Sequence, residues 1–372
     1  MNSLELMRVC WDANVPCISW GAPGEGKSDL ADAEANNRGW NYSLIILANC
    51  DPTDVGGLPV TVTGTDGRTV VTRLPAKVFN DAVAADARGE ITVIHFDEWN
   101  QAAPLNRAGV QNVMTSRMAG DIKLPDSVRF YLSCNDPKIA VGAGDLYPPE
   151  ANRVVHIQWE LGSDIWKDYM LSSKSKVETA EAGLIVGFLE QKGWVGFRQP
   201  ADSAAVNKPF CTPRSWHMLG KILSTARKNG TDNGVVRQLV AGTVGDGMAT
   251  EFMAFLKIRE ELAPPAEILA ACDTYELPDY TRPDLSYLLF NAVGAYVLDN
   301  PSMDNWERGW RFMGRAKDNS HFDKACLGAT IMSKALSMPH AQKQSKKLRK
   351  NPRPEMALFL PAFRELASLG EK

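Results

Sequence analysis

Short apolar runs alternate with helical patterns along the first 160 residues. The apolar runs predict five β-strands, at Val15–Trp20, Ser43–Asn49, Glu90–Asn100, Val128–Asp136 and Asn152–Trp159. Helical composition and spacing lie around and between them, at residues 3–13, 28–37, 76–88 and 104–118. Strands that are separated by helices indicate a mostly parallel sheet, so the pattern predicts an α/β fold.

One stretch after the second predicted strand departs from this alternation. Residues 60–73 contain two β-rich runs on either side of Asp66-Gly67. An Asp-Gly pair between two alternating runs is typical of a tight β-hairpin turn. The sequence therefore predicts a β-hairpin inserted into the α/β region.

After about residue 160 the pattern becomes mainly helical. Helices are predicted at residues 164–171, 177–191, 213–228, 234–244, 247–262, 265–273, 285–298, 303–316 and 322–336. Residues 339–354 are basic and contain prolines, which predicts a solvated connector before a last helix over residues 354–369. The basic residues of this run are able to contact nucleic acid, but no aromatic residues are interleaved with them, which favours a solvated segment.

Composition narrows the class of protein without selecting a function. The 372 residues include 44% hydrophobic and 23% charged residues, and 41 Lys and Arg against 44 Asp and Glu give a net charge of −3. This balance does not favour a general nucleic-acid-binding or membrane-binding surface. Seven scattered cysteines without a C-x-x-C pair predict reduced thiols in a cytoplasmic protein. No apolar run is long enough for a membrane span, and the N-terminus lacks the pattern of a signal peptide.

The most specific motif follows the first predicted strand. "GAPGEGKS" (Gly21–Ser28) matches G-x-x-x-x-G-K-[ST], in which backbone N–H groups of the loop surround phosphates at the start of a helix. The loop residues Gly21, Ala22, Pro23, Gly24, Glu25, Gly26, Lys27, Ser28 and Asp29 are therefore the candidate nucleotide-binding residues. Lys27 would contact the β- and γ-phosphates, and the Ser28 hydroxyl would bind Mg²⁺. The alternative is a glycine-rich turn with an exposed lysine.

A second element is the acidic end of the third predicted strand, "ITVIHFDEWN". A metal-bound triphosphate requires a carboxylate near the Mg²⁺ at a strand end, which suits Asp97. Glu98 suits the group that activates the attacking water. The only Asn-Lys pair, Asn207-Lys208, lacks the aspartate of the guanine-binding N-K-x-D motif, so adenine is favoured and ATP with Mg²⁺ is the expected ligand.

In these motifs the chain resembles AAA+ ATPases of the MoxR type, from near residue 1 to at least residue 260. "GAPGEGKS" and "HFDEWNQA" match the Walker A and Walker B elements. "CDPTDVGGLP" resembles the segment after strand two, and the hairpin is similar to the insertion of that clade. "RAGVQNVMTSRMAGDIKLPD" resembles the helix after Walker B and its following hairpin. The resemblance implies a parallel-sheet P-loop core over residues 1–160 and a helical lid over 161–262. The sequence pattern itself predicts a helical C-terminal region over 263–338 and the basic connector with a terminal helix over 339–372.

The resemblance also implies roles for three further polar residues. Asn135 matches sensor 1, which hydrogen-bonds the attacking water or the γ-phosphate. Arg153 matches the arginine finger, which reaches the site of a neighbouring subunit. Arg214 matches sensor 2 at the start of a lid helix. Each has a plain structural alternative, as a strand-end asparagine or a surface arginine.

The function implied by the resemblance is ATP hydrolysis in a homo-oligomeric ring, expected to be a hexamer, coupled to remodelling of a client protein. A partner with a von Willebrand factor A domain is common in that family. Two other classes stay open: a nucleic-acid motor, for which the hairpin offers only Arg68 and Arg73, and a nucleotide-dependent scaffold with little turnover. The role of the region after about residue 260 also stays open, between additional lid, partner docking and oligomer contact.

Overall fold

A computed structural model describes residues 3–136, 146–198, 208–279, 281–317, 321–337 and 342–360. The chain forms two compact units, Met1–Gly162 and Ser163–Lys372.

The first unit combines a parallel sheet with flanking helices and a separate hairpin. Its helices are α1 (Ser3–Asp12), α2 (Lys27–Asn37), α3 (Pro52–Gly56), α4 (Lys77–Asp86), α5 (Pro104–Ser116) and α6 (Pro148–Ala151). Its strands are β1 (Cys17–Gly21), β2 (Asn41–Ile46), β3 (Leu58–Thr63), β4 (Thr69–Leu74), β5 (Thr92–Asp97), β6 (Met118–Ala119), β7 (Ile122–Lys123), β8 (Val128–Asn135) and β9 (Val155–Gln158). Five of the strands form the parallel sheet, in the order β2-β5-β8-β1-β9.

Alternate residues of the central strands enter two different hydrophobic clusters. Val93 of β5 and Tyr131 of β8 pack in one cluster together with residues of α1 and α2. Ile94 of β5 and Leu132 of β8 pack in the other, together with residues of α4 and α5. A sheet that is buried on both faces reads as a continuous apolar run, which explains the predicted strands. A polar side chain buried in these central strands is costly unless it forms a hydrogen bond inside the protein.

The hairpin forms as predicted and stands apart from the parallel sheet. Strands β3 and β4 pair antiparallel from Leu58 opposite Leu74 to Thr63 opposite Thr69. The loop at Asp66-Gly67 closes with a hydrogen bond from Gly67 N to Gly64 O of 3.0 Å. The fold class predicted from the sequence is confirmed: a parallel-sheet P-loop α/β core with a β-hairpin insertion, followed by a helical region.

The segment between β2 and the hairpin differs from the prediction. The second strand ends at Ile46 instead of Asn49, because Leu47–Asn49 turns into a 3₁₀ helix whose Leu47 is fully buried. The segment after this turn contains the short helix α3. Asp51 begins it with a capping box, in which its backbone N–H donates to Asp54 Oδ2 at 2.8 Å, and proline occupies the first helical turn.

The second unit is helical in all its described secondary structure. Its helices are α7 (Ser163–Leu171), α8 (Thr179–Gln191), α9 (Pro213–Asn229), α10 (Asn233–Val244), α11 (Asp246–Ile258), α12 (Pro265–Ala270), α13 (Pro283–Asp299), α14 (Met303–Gly314), α15 (Phe322–Ser333) and α16 (Gln342–Arg349). Residues 356–360 are also helical, and the rest of the last predicted helix lies outside the described residues. The finer division of this unit into lid, C-terminal region and connector stays a prediction.

Helix α16 corrects one interpretation of the sequence. The basic stretch was expected to be a solvated connector over residues 339–354, but Gln342–Arg349 forms a helix. Leu348 is fully buried in a hydrophobic cluster with Trp306 and Trp310, and Ser345 Oγ donates to Ala335 O at 2.9 Å. Four cationic side chains on the exposed positions conceal this narrow buried face in the sequence, since only Ser345 and Leu348 of the helix are buried.

Two further observations concern the cysteines and the possibility of a membrane span. All seven cysteines are free thiols. Among the described residues, every helix is too short or too polar to cross a lipid bilayer.

Two glycines allow α13 and α15 to approach at backbone distance. A Cβ atom on Gly328 would lie 2.4 Å from Phe290 O, and one on Gly294 would lie 2.5 Å from Gly328 O. Both obstacles are backbone atoms, which cannot rotate away. The contact between these two helices is therefore specified by the absence of side chains.

We predict that Gly328→Ala lowers the free energy of unfolding by about 2 kcal/mol, because the added methyl group forces the two helices apart. The matched control is Gly242→Ala in α10, where a Cβ meets no atom within 4 Å; it should raise stability by up to about 1 kcal/mol, since alanine favours a helix interior. Urea unfolding followed by circular dichroism measures both. Equal stability of the two variants would contradict the close-approach account.

Candidate active site

The loop between β1 and α2 requires glycine at three positions. Gly24 and Gly26 have φ angles of +81° and +67°, a region that side chains with a Cβ rarely adopt. A Cβ on Gly21, at the end of β1, would lie 2.8 Å from Trp159 O. Because the chain turns directly from a strand into the first turn of a helix here, the N–H groups at the start of α2 lack partners from a preceding turn. Such a loop favours an anion.

Lys27 is buried at the first position of α2. Its ammonium group donates to Gly21 O at 2.9 Å, to Ala22 O at 3.0 Å and to Asn135 Oδ1 at 3.3 Å. The cation is thus held over the loop by groups that a phosphate oxygen is able to replace. The third of these contacts joins the loop to the end of β8, where Asn135 is located.

Ser28 and Asp97 meet although they are 69 residues apart in the sequence. The Ser28 hydroxyl donates to Asp97 Oδ2 at 2.6 Å. Asp97 Oδ1 accepts from Ser133 Oγ and from the backbone N–H of Glu98, the latter at 2.8 Å. Burial by itself raises the pKa of Asp97, but the hydrogen bonds from Ser133, Ser28 and the Glu98 N–H favour the charged form, and the pKa lies below the usual value. Asp97 is therefore ionised at neutral pH.

Glu98 follows directly in a strained backbone conformation. Its φ and ψ angles are 55° and 37°, in the left-handed region, and it precedes the 3₁₀ helix Trp99–Gln101. This region costs a residue with a Cβ about 1–2 kcal/mol. Strain of this kind concentrates at functional sites, where the surrounding structure holds it in place. The structure thus places Glu98 at the strand end beside Asp97, partly exposed, as a water-activating group requires.

The other loop residues hold the loop or face outward. Glu25 is buried, and its Oε2 accepts from Leu161 N at 3.2 Å. Its backbone carbonyl accepts from Trp159 Nε1 at 3.0 Å. These contacts anchor the loop to the segment after β9. Ala22 and Pro23 are partly buried in the turn, and Asp29 is exposed in the first turn of α2.

The two predicted arginines lie on the surface of different units. Arg153 is exposed between α6 and β9, and its Nη1 donates to Pro149 O at 3.0 Å and to Gln111 Oε1 at 3.2 Å. Arg214 is exposed in the first turn of α9, a helix capped by Thr212, whose Oγ1 accepts from Ser215 N at 3.0 Å. The structure brings together Lys27, Ser28, Asp97, Glu98 and Asn135, and the arginine roles stay predictions.

Four polar residues near the carboxyl ends of the strands were not predicted as site residues from the sequence. Asn100 donates to Asn135 O at 2.8 Å. Tyr42, His95 and Ser133 form a hydrogen-bonded chain that ends on Asp97. Burial, reinforced by the charge of Lys27, lowers the pKa of His95 to about 4, so the ring is neutral. In the sequence, the only sign of such a role for His95 and Ser133 is a polar residue within an otherwise apolar strand.

This arrangement suits a metal-bound polyphosphate. Ser28 and Asp97 are oxygen donors, which Mg²⁺ prefers, and Mg²⁺ commonly takes one or two protein ligands and completes its shell with phosphates and water. No cluster of three or more His, Cys, Asp or Glu residues suited to a metal occurs within the described ranges, so an all-protein metal cage is not found there. The sheet and the loop together define the first unit as a P-loop α/β fold.

Comparison with known proteins does not assign a family. No protein-family model matches the chain, and no curated protein matches it. Similar solved structures include an ATPase described as putative from Cytophaga hutchinsonii, at 13% identity and a TM-score of 0.30, covering 66% of this chain and 82% of that one. A RuvB variant of Thermotoga maritima is 13% identical, with a TM-score of 0.37, over 80% of this chain and 86% of that one. The ORC2 protein of Aeropyrum pernix, in ADPNP and ADP complexes, is 12% identical, with a TM-score of 0.37, over 73% and 72%.

We predict that Lys27→Ala weakens ADP binding on the order of 10- to 100-fold, because the loop loses a charged hydrogen-bond donor to phosphate. Lys77→Ala is the control, since that side chain is 86% exposed on α4 and pairs with Asp81; it removes the same charge and should leave binding unchanged. Isothermal titration calorimetry measures both. An equal loss in the two variants would mean that net charge, not the loop, governs binding.

Proposed function

We propose that this protein binds ATP with Mg²⁺ at the β1–α2 loop and hydrolyses it. The observation that supports this most directly is the 2.6 Å contact between the Ser28 hydroxyl and the Asp97 carboxylate. It joins the helix start of the phosphate-binding loop to the acidic end of another strand, where a metal-bound triphosphate needs its carboxylate. Bound Mg²⁺ would neutralise charge on the phosphates.

Different residues of the site would have different roles, according to where they lie. The loop N–H groups and Lys27 would bind the phosphate oxygens, after Lys27 leaves the carbonyls of Gly21 and Ala22. Glu98 would accept the proton of the attacking water. Asn135 would orient that water or the γ-phosphate, from a strand that lies between β1 and β5. Because β8 separates these strands, its end contributes a third polar group between the loop and the acidic pair.

The finer proposal is an AAA+ ATPase of the MoxR type. It is supported by the motif order along the chain, by the β3–β4 hairpin and by the helical second unit. In this proposal the subunits form a ring, expected to be hexameric. Arg153 acts on the site of the neighbouring subunit, Arg214 acts from the lid, and hydrolysis remodels a client protein, with a von Willebrand factor A protein as a partner. The exposure of both arginines is compatible with contacts beyond their own unit.

We expect Glu98→Gln to lower the ATP hydrolysis rate at least on the order of 100-fold, because the amide cannot accept the proton of the attacking water. The affinity for ATP should stay unchanged, since glutamine keeps the size and shape of the side chain. A phosphate-release assay and an equilibrium binding titration measure the two quantities. Hydrolysis at the unaltered rate would remove Glu98 from the reaction and leave the site as a nucleotide-dependent scaffold.

The role of Arg153 is testable by mixing two inactive variants. Arg153→Ala and Lys27→Ala should each lose ATPase activity on their own. In a mixed ring, an intact loop from the first variant meets an intact arginine from the second, so part of the activity should return. The ATPase rate per subunit of the unaltered chain should also rise with protein concentration as the ring assembles.

The control for this mixture is the double variant Lys27→Ala/Arg153→Ala mixed with Arg153→Ala, which contains no intact arginine and should stay inactive. No recovery in the first mixture, with assembly verified by size-exclusion chromatography, would contradict action between subunits. An active monomer would contradict the ring itself.

A further inference from the structure

A fully buried histidine lies on β5, the second strand of the parallel sheet, two residues before Asp97. His95 is on the face of β5 that also presents Val93, towards the cluster formed with α1 and α2. Its Nδ1 is 2.6 Å from the Tyr42 hydroxyl on β2, and its Nε2 is 2.7 Å from Ser133 Oγ on β8. Three adjacent strands thus contribute one polar group each to a chain that ends on Asp97; we call Tyr42, His95 and Ser133 the relay.

The direction of each hydrogen bond in the relay follows from Asp97, the residue on which the relay ends. The ionised Asp97 carboxylate only accepts hydrogen bonds, so the Ser133 hydroxyl must donate to it. Ser133 Oγ then accepts from His95, which places the ring proton on Nε2. His95 is fully buried and both its ring nitrogens face hydroxyl groups, not a carboxylate, which favours the neutral ring. With the proton on Nε2, Nδ1 is an acceptor, and the single Tyr42 proton goes to it rather than to Ser28 O, which is 3.3 Å away.

The relay determines which oxygen of Asp97 is available. Oδ1 is occupied by Ser133 and by the Glu98 N–H. Oδ2 is directed to Ser28, the other oxygen donor of the candidate Mg²⁺ site. When hydrogen bonds hold one oxygen of a carboxylate, the other oxygen points in a single direction. In many metal sites, hydrogen-bond partners of the ligand orient it in this way.

We propose that Tyr42 and His95 are positioning residues that set the Mg²⁺ affinity of the site by holding Ser133 as a donor to Asp97. The proposal rests on the proposed binding of Mg²⁺ with nucleotide. Tyr42 acts at a distance: its hydroxyl donates to Nδ1 and so stabilises the ring tautomer that Ser133 needs in order to donate to Asp97. Without the Tyr42 hydroxyl, Nδ1 loses its donor, so the preference for a proton on Nε2 is weaker and more of the rings carry it on Nδ1. Nε2 would then accept from Ser133, whose proton would turn away from Asp97.

A sheet-stabilising role alone would not affect Mg²⁺ dependence, so the test measures that dependence. ADP affinity is titrated by calorimetry at increasing Mg²⁺ concentrations in the full chain. Tyr42→Phe should weaken the apparent Mg²⁺ affinity roughly 10-fold, as expected for loss of a partner behind a metal ligand, and leave ADP affinity without Mg²⁺ unchanged. The matched control is Tyr131→Phe, a fully buried tyrosine whose ring lies 4.4 Å from that of His95 and whose hydroxyl is outside the relay.

Replacing His95 separates its hydrogen bonds from its bulk. Glutamine has a donor and an acceptor on one planar group, so His95→Gln should keep more of the Mg²⁺ affinity than His95→Leu, which has neither. Because a leucine variant is at risk of misfolding, ¹⁵N NMR of the histidine rings gives a second readout on the unaltered chain. Only five histidines occur, and the signal that disappears in His95→Gln identifies the ring. A neutral ring with its proton on Nε2 is expected.

Three results would overturn the inference. The first is a His95 ring protonated on Nδ1, and the second is an unchanged Mg²⁺ affinity in Tyr42→Phe. The third is an equal loss in Tyr42→Phe and Tyr131→Phe, which would show a general effect of altering the sheet. If the unaltered chain binds ADP without any effect of Mg²⁺, the proposed function fails together with the inference, whereas failure of the variants alone removes only the relay.

Discussion

The ionised carboxylate of Asp97 is the group whose hydrogen bonds fix the positions of several elements of the first unit. Removing such a charge from water is costly unless several donors replace the lost solvation. Four elements supply these donors: α2 through Ser28, β8 through Ser133, the turn at Glu98, and, one step further away, β5 itself through His95. Their relative positions are therefore coupled, since a shift in any of them leaves part of the charge without a partner.

This coupling explains why local patterns predicted part of the site and missed the rest. Lys27 and Ser28 lie within one short loop, and Asp97 and Glu98 are neighbours, so spacing along the chain was enough to select them as candidates. Tyr42, Ser133 and Asn100 become functional candidates only when β2, β5 and β8 are aligned in register. Register depends on contacts between distant segments, and a single sequence does not show it.

The helical unit shows the same limit for the fold. Helices with a broad apolar face, such as α13, were predictable from periodicity. Helix α16 was not, because its lysines outnumber the two side chains that it buries, Ser345 and Leu348. The close contact at Gly294 and Gly328 was also invisible in the sequence, since a glycine in a helix usually lowers its stability and gives no sign of the backbone opposite it.

The backbone of Glu98 has a consequence for how this protein responds to selection for stability. At φ 55°, every residue except glycine is strained, and glycine would relieve about 1 kcal/mol or more. A screen for heat resistance that ignores turnover would therefore favour Glu98→Gly. The more heat-resistant Glu98→Gly variant would lack the carboxylate beside Asp97. Under the proposed role of Glu98, heat resistance and hydrolysis would compete for one residue, and only a selection that demands both would retain the glutamate.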